Sequence, residues 1–375
     1  MATANATYPQ TDLVESAIGW FRTRLPATWS VERTVRELPT SRGETETVDS
    51  LIAVGAPHAG SATLAVESRS AFSPRDARAL MPRLARVVRG ISGNTPLLVV
   101  APWLSERSRE TLAEEGVNYL DLTGNALVRL DHPALFLQST GAARNPEPGS
   151  RGQAKATGTK AARLLRLLID VRPPYGVRQL AAASGLTAGY VSQILSTLDR
   201  EALIDRSSRG IVEDVDPFGL LRRWTRNYDV FSSNRAEAFI APLGFEDLLE
   251  RLADGVGQRV ALTGSRAAAR LAPVTAPATV MSYCDAPGAL AEQLDLLPSE
   301  EGSNVFLLAP YDDCVWQRTA TVAGLRFVAP SQVAADCLTG NGRMPVEGEA
   351  LLEWMRQDEA RWRFPDLEAA REAST

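Results

Sequence analysis

Residues 176–211 run GVRQLAAASGLTAGYVSQILSTLDREALIDRSSRGI. Val177 to Ala183 reads as a short helix, Ser184-Gly185-Leu186 turns the chain, and Thr187 stands where an N-cap would open a longer helix reaching Glu201. In that helix Val191, Ile194, Leu195 and Leu198 recur at three-and-four spacing and so share one face. That face is expected to pack against Leu180 and Leu165. Leu203-Ile204 then opens a strand, Arg206 to Gly210 makes a tight basic loop, and Ile211-Val212 returns. Upstream, KAARLLRLLI (160–169) is a helix with an apolar face, stopped at Pro173-Pro174. The expected unit is three helices and a wing.

The face left outward carries Ala188, Gly189, Ser192, Gln193, Ser196 and Arg200, small and polar side chains that suit a helix end entering a major groove about 12 Å wide. Gln193 is the side chain best able to read a base. Arg178, Thr187, Ser207 and Ser208 join the candidate DNA-binding set, with Arg206 and Arg209 at the wing tip to meet phosphate. Tyr190 is expected either to stack or touch phosphate, or to be half-buried in the core. A three-helix unit that mediates protein contacts would show the same spacing. Charge favours nucleic acid: residues 151–212 hold ten lysines and arginines against four acids, within a chain of formal net charge -5.

The 375-residue length allows two or three domains with sizeable cores. Three scattered cysteines and two histidines support neither a zinc site nor a disulfide framework. The N-terminus lacks a basic start followed by an apolar core, and no apolar run approaches the roughly 20 residues that span a bilayer, so a cytoplasmic protein without membrane contact is expected. GAARNPEPGSRGQAKATG (141–158) reads as a flexible joint, and a second boundary falls near Asp216-Pro217. Before the joint, residues 11–37 read as one or two helices. Strands follow at 49–56, 62–69 and 95–104, helices at 74–89 and from Ser105, and two short strands around Gly124-Asn125. Asn125 is expected in a left-handed turn. Trp103, Trp224 and Trp316 are expected as core or interface anchors, and His132-Pro133 as a surface turn. Beyond 216, strands are expected near 258–263, 278–283, 304–309 and 325–328, with Asp312-Asp313 in an exposed turn.

These residues carry a resemblance. Residues 160–212 look like a winged helix-turn-helix domain of the MarR-like or antitoxin-like kind. DPFGLLRRWTRNYDVF, VALTGSRAAARLAPVTAP, NVFLLAPYDDCVW and LRFVAPSQVAADCLTGNGRMPVEGEALLEWM, in that order, are similar to the C-terminal region of AbiEi-type antitoxin and transcriptional-regulator families. Gly264-Ser265 after a strand resembles the turn of nucleotidyltransferase-like folds. The magnesium-holding acids those enzymes need beyond it are replaced by Arg266-Ala-Ala-Ala-Arg270, which makes catalysis there doubtful.

Asp49 at one strand and Glu67-Ser68-Arg69 at the end of the next resemble the restriction-endonuclease-like pattern, in which two carboxylates hold magnesium against a scissile phosphate. Arginine replaces the usual lysine, and it cannot easily give up a proton to act as a base. Glu44 and Glu46 are nearby acids, equally explained by a solvated strand.

The expected architecture is therefore α/β and multidomain: 1–145 restriction-endonuclease-like, 146–158 a linker, 159–216 winged helix-turn-helix, and 217–375 an α/β domain resembling a degenerate nucleotidyltransferase fold. The leading expectation is a dimeric, sequence-specific regulator of double-stranded DNA with no cofactor. A magnesium-dependent nuclease using Asp49, Glu67 and Arg69 is the enzymatic alternative. An antitoxin-like autorepressor with a toxin partner is the third.

Overall fold

The structure, a computed structural model, describes residues 10–34, 49–70, 72–76, 95–143, 146, 158–299 and 301–373. The helix expected at 74–89 is described only over 74–76; its remainder, Glu44, Glu46 and most of the 146–158 linker lie outside the described residues. The chain divides into two compact units, residues 1–153 with 199–202, and residues 154–198 with 203–375. The fold is mixed α/β, with a helix-turn-helix between two sheets in the chain order.

In the first unit, helix α1 (Gln10–Arg24) precedes a seven-stranded sheet whose order is the chain order: β1 (Ser30–Thr34), β2 (Ser50–Ala56), β3 (Gly60–Ser68), β4 (Leu97–Ala101), β5 (Asn118–Asp121), β6 (Ala126–Leu130) and β7 (Leu135–Ser139). Pairing is antiparallel through β1–β3, parallel across β3–β4–β5, and antiparallel again through β5–β7. Side chains alternate along a strand, and the sheet uses both faces. Ile52, Leu64, Val66, Leu98 and Val100 pack with Leu13, Ala17 and Phe21 of α1. Leu51, Ala65, Leu97 and Val99 pack with Leu104 and with Leu112 of helix α2 (Glu106–Glu114) on the other side. Residues 30–34 correct the expectation of helix over 11–37: α1 ends at Arg24, before Pro26, and β1 pairs along β2 with Val31 opposite Val54.

Asp121 ends β5 and is fully buried. Its Oδ1 accepts from Thr123 N, Thr123 Oγ1 and Asn125 N at 2.9, 2.7 and 3.1 Å, and its Oδ2 from Leu104 N and Asn125 Nδ2 at 3.0 and 2.8 Å. Asn125 is therefore a buried polar hub and not the left-handed residue of the turn; Gly124, at φ +103°, holds that role. Asn125 Oδ1 accepts from Gly141 N, and Ala142 O from Trp103 Nε1, so the start of the expected joint is tied to this unit.

The second unit has one continuous core. Helices α3 (Thr159–Asp170), α4 (Val177–Ser184) and α5 (Ala188–Arg200) are followed by the hairpin β8 (Ile204–Arg206) and β9 (Val212–Val215) and by α6 (Pro217–Thr225), capped by Asp216. A second seven-stranded sheet then runs in the order β13-β10-β14-β12-β11-β16-β15. Its strands are β10 (Arg235–Ile240), β11 (Val260–Thr263), β12 (Val280–Cys284), β13 (Leu297–Pro298), β14 (Val305–Ala309), β15 (Ala320–Val322) and β16 (Leu325–Phe327). Helices α7 (Gly244–Asp254), α8 (Gly264–Leu271), α9 (Pro287–Gln293), α10 (Pro330–Leu338), α11 (Met344–Gln357) and α12 (Leu367–Glu372) complete it. Leu165, Leu180, Ile194 and Leu220 belong to the same buried cluster as Tyr283, Leu308 and Leu351.

Candidate nucleic-acid interface

Val191, Ile194, Leu195 and Leu198 are all fully buried, as are Leu180 and Leu165, so one face of α5 is spent on the core. Gly185 ends α4 at φ +67°, a left-handed conformation that glycine adopts without strain. Thr187 Oγ1 accepts from Tyr190 N at 3.4 Å at the start of α5. Ala188, Gly189, Gln193, Ser196 and Arg200 are exposed and Ser192 is half-exposed. The Gln193 amide makes no hydrogen bond among the described residues. Tyr190 is half-buried against the core, and burial raises its phenol pKa. Arg178 is exposed near the start of α4, where Gln179 Oε1 accepts from Gly176 N at 2.8 Å.

The wing pairs Ile204 with Val215 and Asp205 with Asp214 across a bulge at Asp205/Arg206. Tyr175 adds a third rung, with Val212 N donating to Tyr175 O at 3.0 Å. Ser207 to Ile211 close the turn, Ser207 N donating to Ile211 O at 2.9 Å. Ser208 and Arg209 are exposed at its tip. Arg206 is not a tip residue: its guanidinium folds back, half-buried, donating to Gly210 O at 3.3 Å and reaching Ser196 Oγ of α5 at 3.5 Å. Asp205, Glu213 and Asp214 are exposed, which makes the flank of the wing acidic.

Beneath this face, α3 is held by side chains from far along the chain. Arg166 is fully buried; it donates to Cys314 O and, at 2.7 Å, to Gln317 O, and lies 3.5 Å from Asp170 Oδ2. Arg318 Nε donates to the same carboxylate oxygen at 2.6 Å. Arg363 donates to Ile169 O and Val171 O, both at 2.9 Å, at the C-terminus of α3, where a cation suits the helix dipole. Arg163 grips Asp312 in two contacts of 3.1 and 2.6 Å. Asp312 is thus buried, not part of an exposed turn, while Asp313 remains largely exposed. Burial raises the Asp312 pKa, but hydrogen bonds from Arg163 and Cys314 outweigh it and hold the carboxyl below its ordinary value.

Three helices with the second and third joined by a glycine turn, followed by a wing, define a winged helix-turn-helix unit. Residues 159–207 match the IclR helix-turn-helix domain, which supports DNA-binding transcription regulation. No curated protein and no solved structure matches the chain. No helix among the described residues is long and apolar enough to cross a membrane.

The other candidate sites are differently built. Asp49 Oδ2 accepts from Ser68 N and Ser68 Oγ at 2.7 and 3.0 Å, while Glu67, 1 % exposed, is ion-paired with Arg69. Among the described residues no group of three or more His, Cys, Asp or Glu side chains is arranged to hold a metal. In the tail, Gly264 (φ +63°) and Ser265 open α8 directly after β11, followed by Arg266 over the Phe245 ring. Sequence reading missed a fully buried acid in this region. Asp336 is fully buried and accepts from Tyr228 OH, Tyr283 OH, Thr263 Oγ1 and Gln332 Nε2 at 2.6, 3.0, 2.5 and 2.9 Å. Burial pushes its pKa up to about 6, the four hydrogen bonds opposing the rise.

Proposed function

We propose that the chain is a sequence-specific regulator that binds double-stranded DNA as a homodimer. One observation carries this: the outward face of α5 around Gln193 is small, polar and exposed, in a segment similar to the IclR helix-turn-helix domain. In this reading Gln193 reads a base edge, and Thr187, Ala188, Gly189, Tyr190, Ser192, Ser196 and Arg200 line the groove. Arg178, Ser207, Ser208 and Arg209 meet phosphate, and Arg206 braces the wing against α5. Dimerisation follows from recognition physics, because a single helix touches few bases and a two-fold protein reads a palindrome. A salt-titrated binding assay on fragments from upstream of the gene, against random duplex, tests it. Selective binding that persists at physiological salt is expected, and Gln193→Ala should cost about 1–3 kcal/mol at one base position only. Equal loss on every sequence would remove the base-reading role.

For the first unit, a restriction-endonuclease-like fold is supported by the order of a helix, three antiparallel strands and a fourth strand parallel to the third. Against a magnesium site at Asp49, Glu67 and Arg69, Glu67 Oε1 is ion-paired with Arg69 and Asp49 Oδ2 accepts from Ser68. We assign the unit a sensing or dimer-building role, and magnesium-dependent nicking lost in Glu67→Ala would reverse that. The order of tail segments similar to AbiEi-type proteins favours a second reading, an autorepressor paired with a toxin. A nucleotidyltransferase-like gene beside this one is its test.

A further inference from the structure

Among the described residues each seven-stranded sheet has two edges, and three of the four are guarded against another chain. β1 exposes Glu32 and Arg33, β13 is two residues long and contains Pro298, and β15 is three residues long. Charge, proline and shortness are ordinary means of keeping an edge from pairing outward. β7 has none of them. Its sequence, LFLQS, is uncharged and free of proline, and it pairs with β6 in unbroken register from Leu135 opposite Leu130 to Ser139 opposite Ala126. No other strand among the described residues lies beside it. The chain that follows turns away from this edge: Gly141 N donates to Asn125 Oδ1 and Ala142 N to Thr123 Oγ1, which carries the backbone to the β5–β6 turn.

The side chains of β7 are complementary to themselves. Phe136 is 62 % exposed, with the Arg129 guanidinium of β6 over its ring at 6.0 Å from the centroid. Leu135 and Leu137 lie on the opposite face, half-buried at the margin of the α1 cluster. Antiparallel pairing of two such strands about a two-fold axis at Phe136 sets each ring against its own copy, and Leu135 of one copy against Leu137 of the other. Apolar groups meet on both faces, and cross-strand aromatic pairs stabilise antiparallel ladders. The two Arg129 side chains then stand three strand spacings apart, about 14 Å, which exceeds the Debye length at physiological salt. No like charges meet at the axis.

We infer that β7 joins a second copy of this chain edge to edge, Phe136 against Phe136, so that one sheet runs through both copies. This rests on the homodimer reading given above and names where the copies meet. Use of the same edge by both copies closes the assembly as a dimer, whereas β7 set against β1 would leave an edge free at each end and grow into filaments.

Sedimentation equilibrium of the full chain, without DNA, tests it. One short strand makes a small interface, so exchange between monomer and dimer at micromolar protein is expected. Phe136→Lys puts a charge on the axis and should weaken dimerisation at least tenfold while circular dichroism stays that of the parent. Phe136→Cys reads the register. The three native cysteines are buried, and facing positions of an antiparallel pair have Cα atoms about 4.5–5.5 Å apart, within disulfide reach. Oxidised glutathione should therefore link the copies of Phe136→Cys. It should not link Gln138→Cys, whose two copies lie about 14 Å apart along the strands. A parent that stays monomeric, assembly that grows past the dimer, a dimer untouched by Phe136→Lys, or equal linking of the two cysteine variants overturns the inference. A dimer that survives Phe136→Lys leaves two-fold DNA reading to another interface, and operator binding, measured separately, decides that reading.

Discussion

The outer and inner faces of the winged segment use arginine in opposite ways. Outside, Arg178 and Arg209 are exposed, and neither has a partner among the described residues. Inside, Arg166 is fully buried with two carbonyls and Asp170, and Arg163 is closed on Asp312. The positive balance of residues 151–212 is thus not all available to a polyanion. Two of those cations are neutralised within the fold, and exposed acids line the wing flank. Formal charge over a segment overstates its field wherever part of that charge is structural.

The largest effect that would test this contrast is at Arg166. Its replacement by alanine opens a cavity, leaves the Cys314 and Gln317 carbonyls without their donor and leaves Asp170 to Arg318 alone, and should cost about 3–5 kcal/mol, read as a lower urea midpoint. Arg166→Met fills the space but leaves the same carboxylate facing Arg318 alone, so it should cost less. If Arg166→Ala proves as stable as the parent, the inner set is not structural.

Next in size is a carboxylate with no cation. Asp336, titrating near 6 in the fold, holds its proton more tightly there than when unfolded, so its contribution to stability is complete below about pH 4 and is lost as pH rises through 6. The swing is on the order of 3 kcal/mol. Comparing the pH dependence of the parent with that of Asp336→Asn should isolate it. Asp312, with its lowered pKa, acts in the other direction, contributing stability at neutral pH that fades on acidification.

The smallest effects separate the two wing arginines. Arg209→Ala should weaken binding to every duplex several-fold and reduce the slope of log affinity against log salt by roughly 0.9, the signature of one phosphate contact. Arg206→Ala should weaken specific binding with little change in slope, because its guanidinium holds Gly210 O and approaches Ser196 rather than solvent. An equal change of slope for both would return Arg206 to the phosphate-contacting set.

What was legible in the sequence was local. The spacing of Val191, Ile194, Leu195 and Leu198, the turn at Gly185 and the hairpin that follows are periodic features that one window contains. The clamp on α3 was not legible, because Arg166 and Arg363 find partners some 150 to 190 residues away. One signal was present: Arg166 interrupts a run from Leu164 to Asp170 in which every residue is buried, and a cation amid that many leucines requires a polar partner. Strand β10 escaped for a different reason. RAEAFI alternates only through two alanines, which have low strand preference, and its shape comes from pairing with β13 and β14. At the first unit, Asp49 and Glu67-Ser68-Arg69 could be found by pattern, but their commitment to neighbouring groups is a property of geometry alone.

The hold of residues 312–318 and 359–364 on α3 also bears on how such a protein can be inherited. A recombination event that moved only residues 159–216 would deliver Arg166 and Asp170 to a host offering neither the Cys314 and Gln317 carbonyls nor the Arg318 and Arg363 guanidiniums. The head would arrive with its ion pair unsupported. Selection should therefore exchange this reading head as a cassette running from Thr159 to at least Phe364, and chimeras assembled with breakpoints inside that span should be recovered rarely in a library screened for folding.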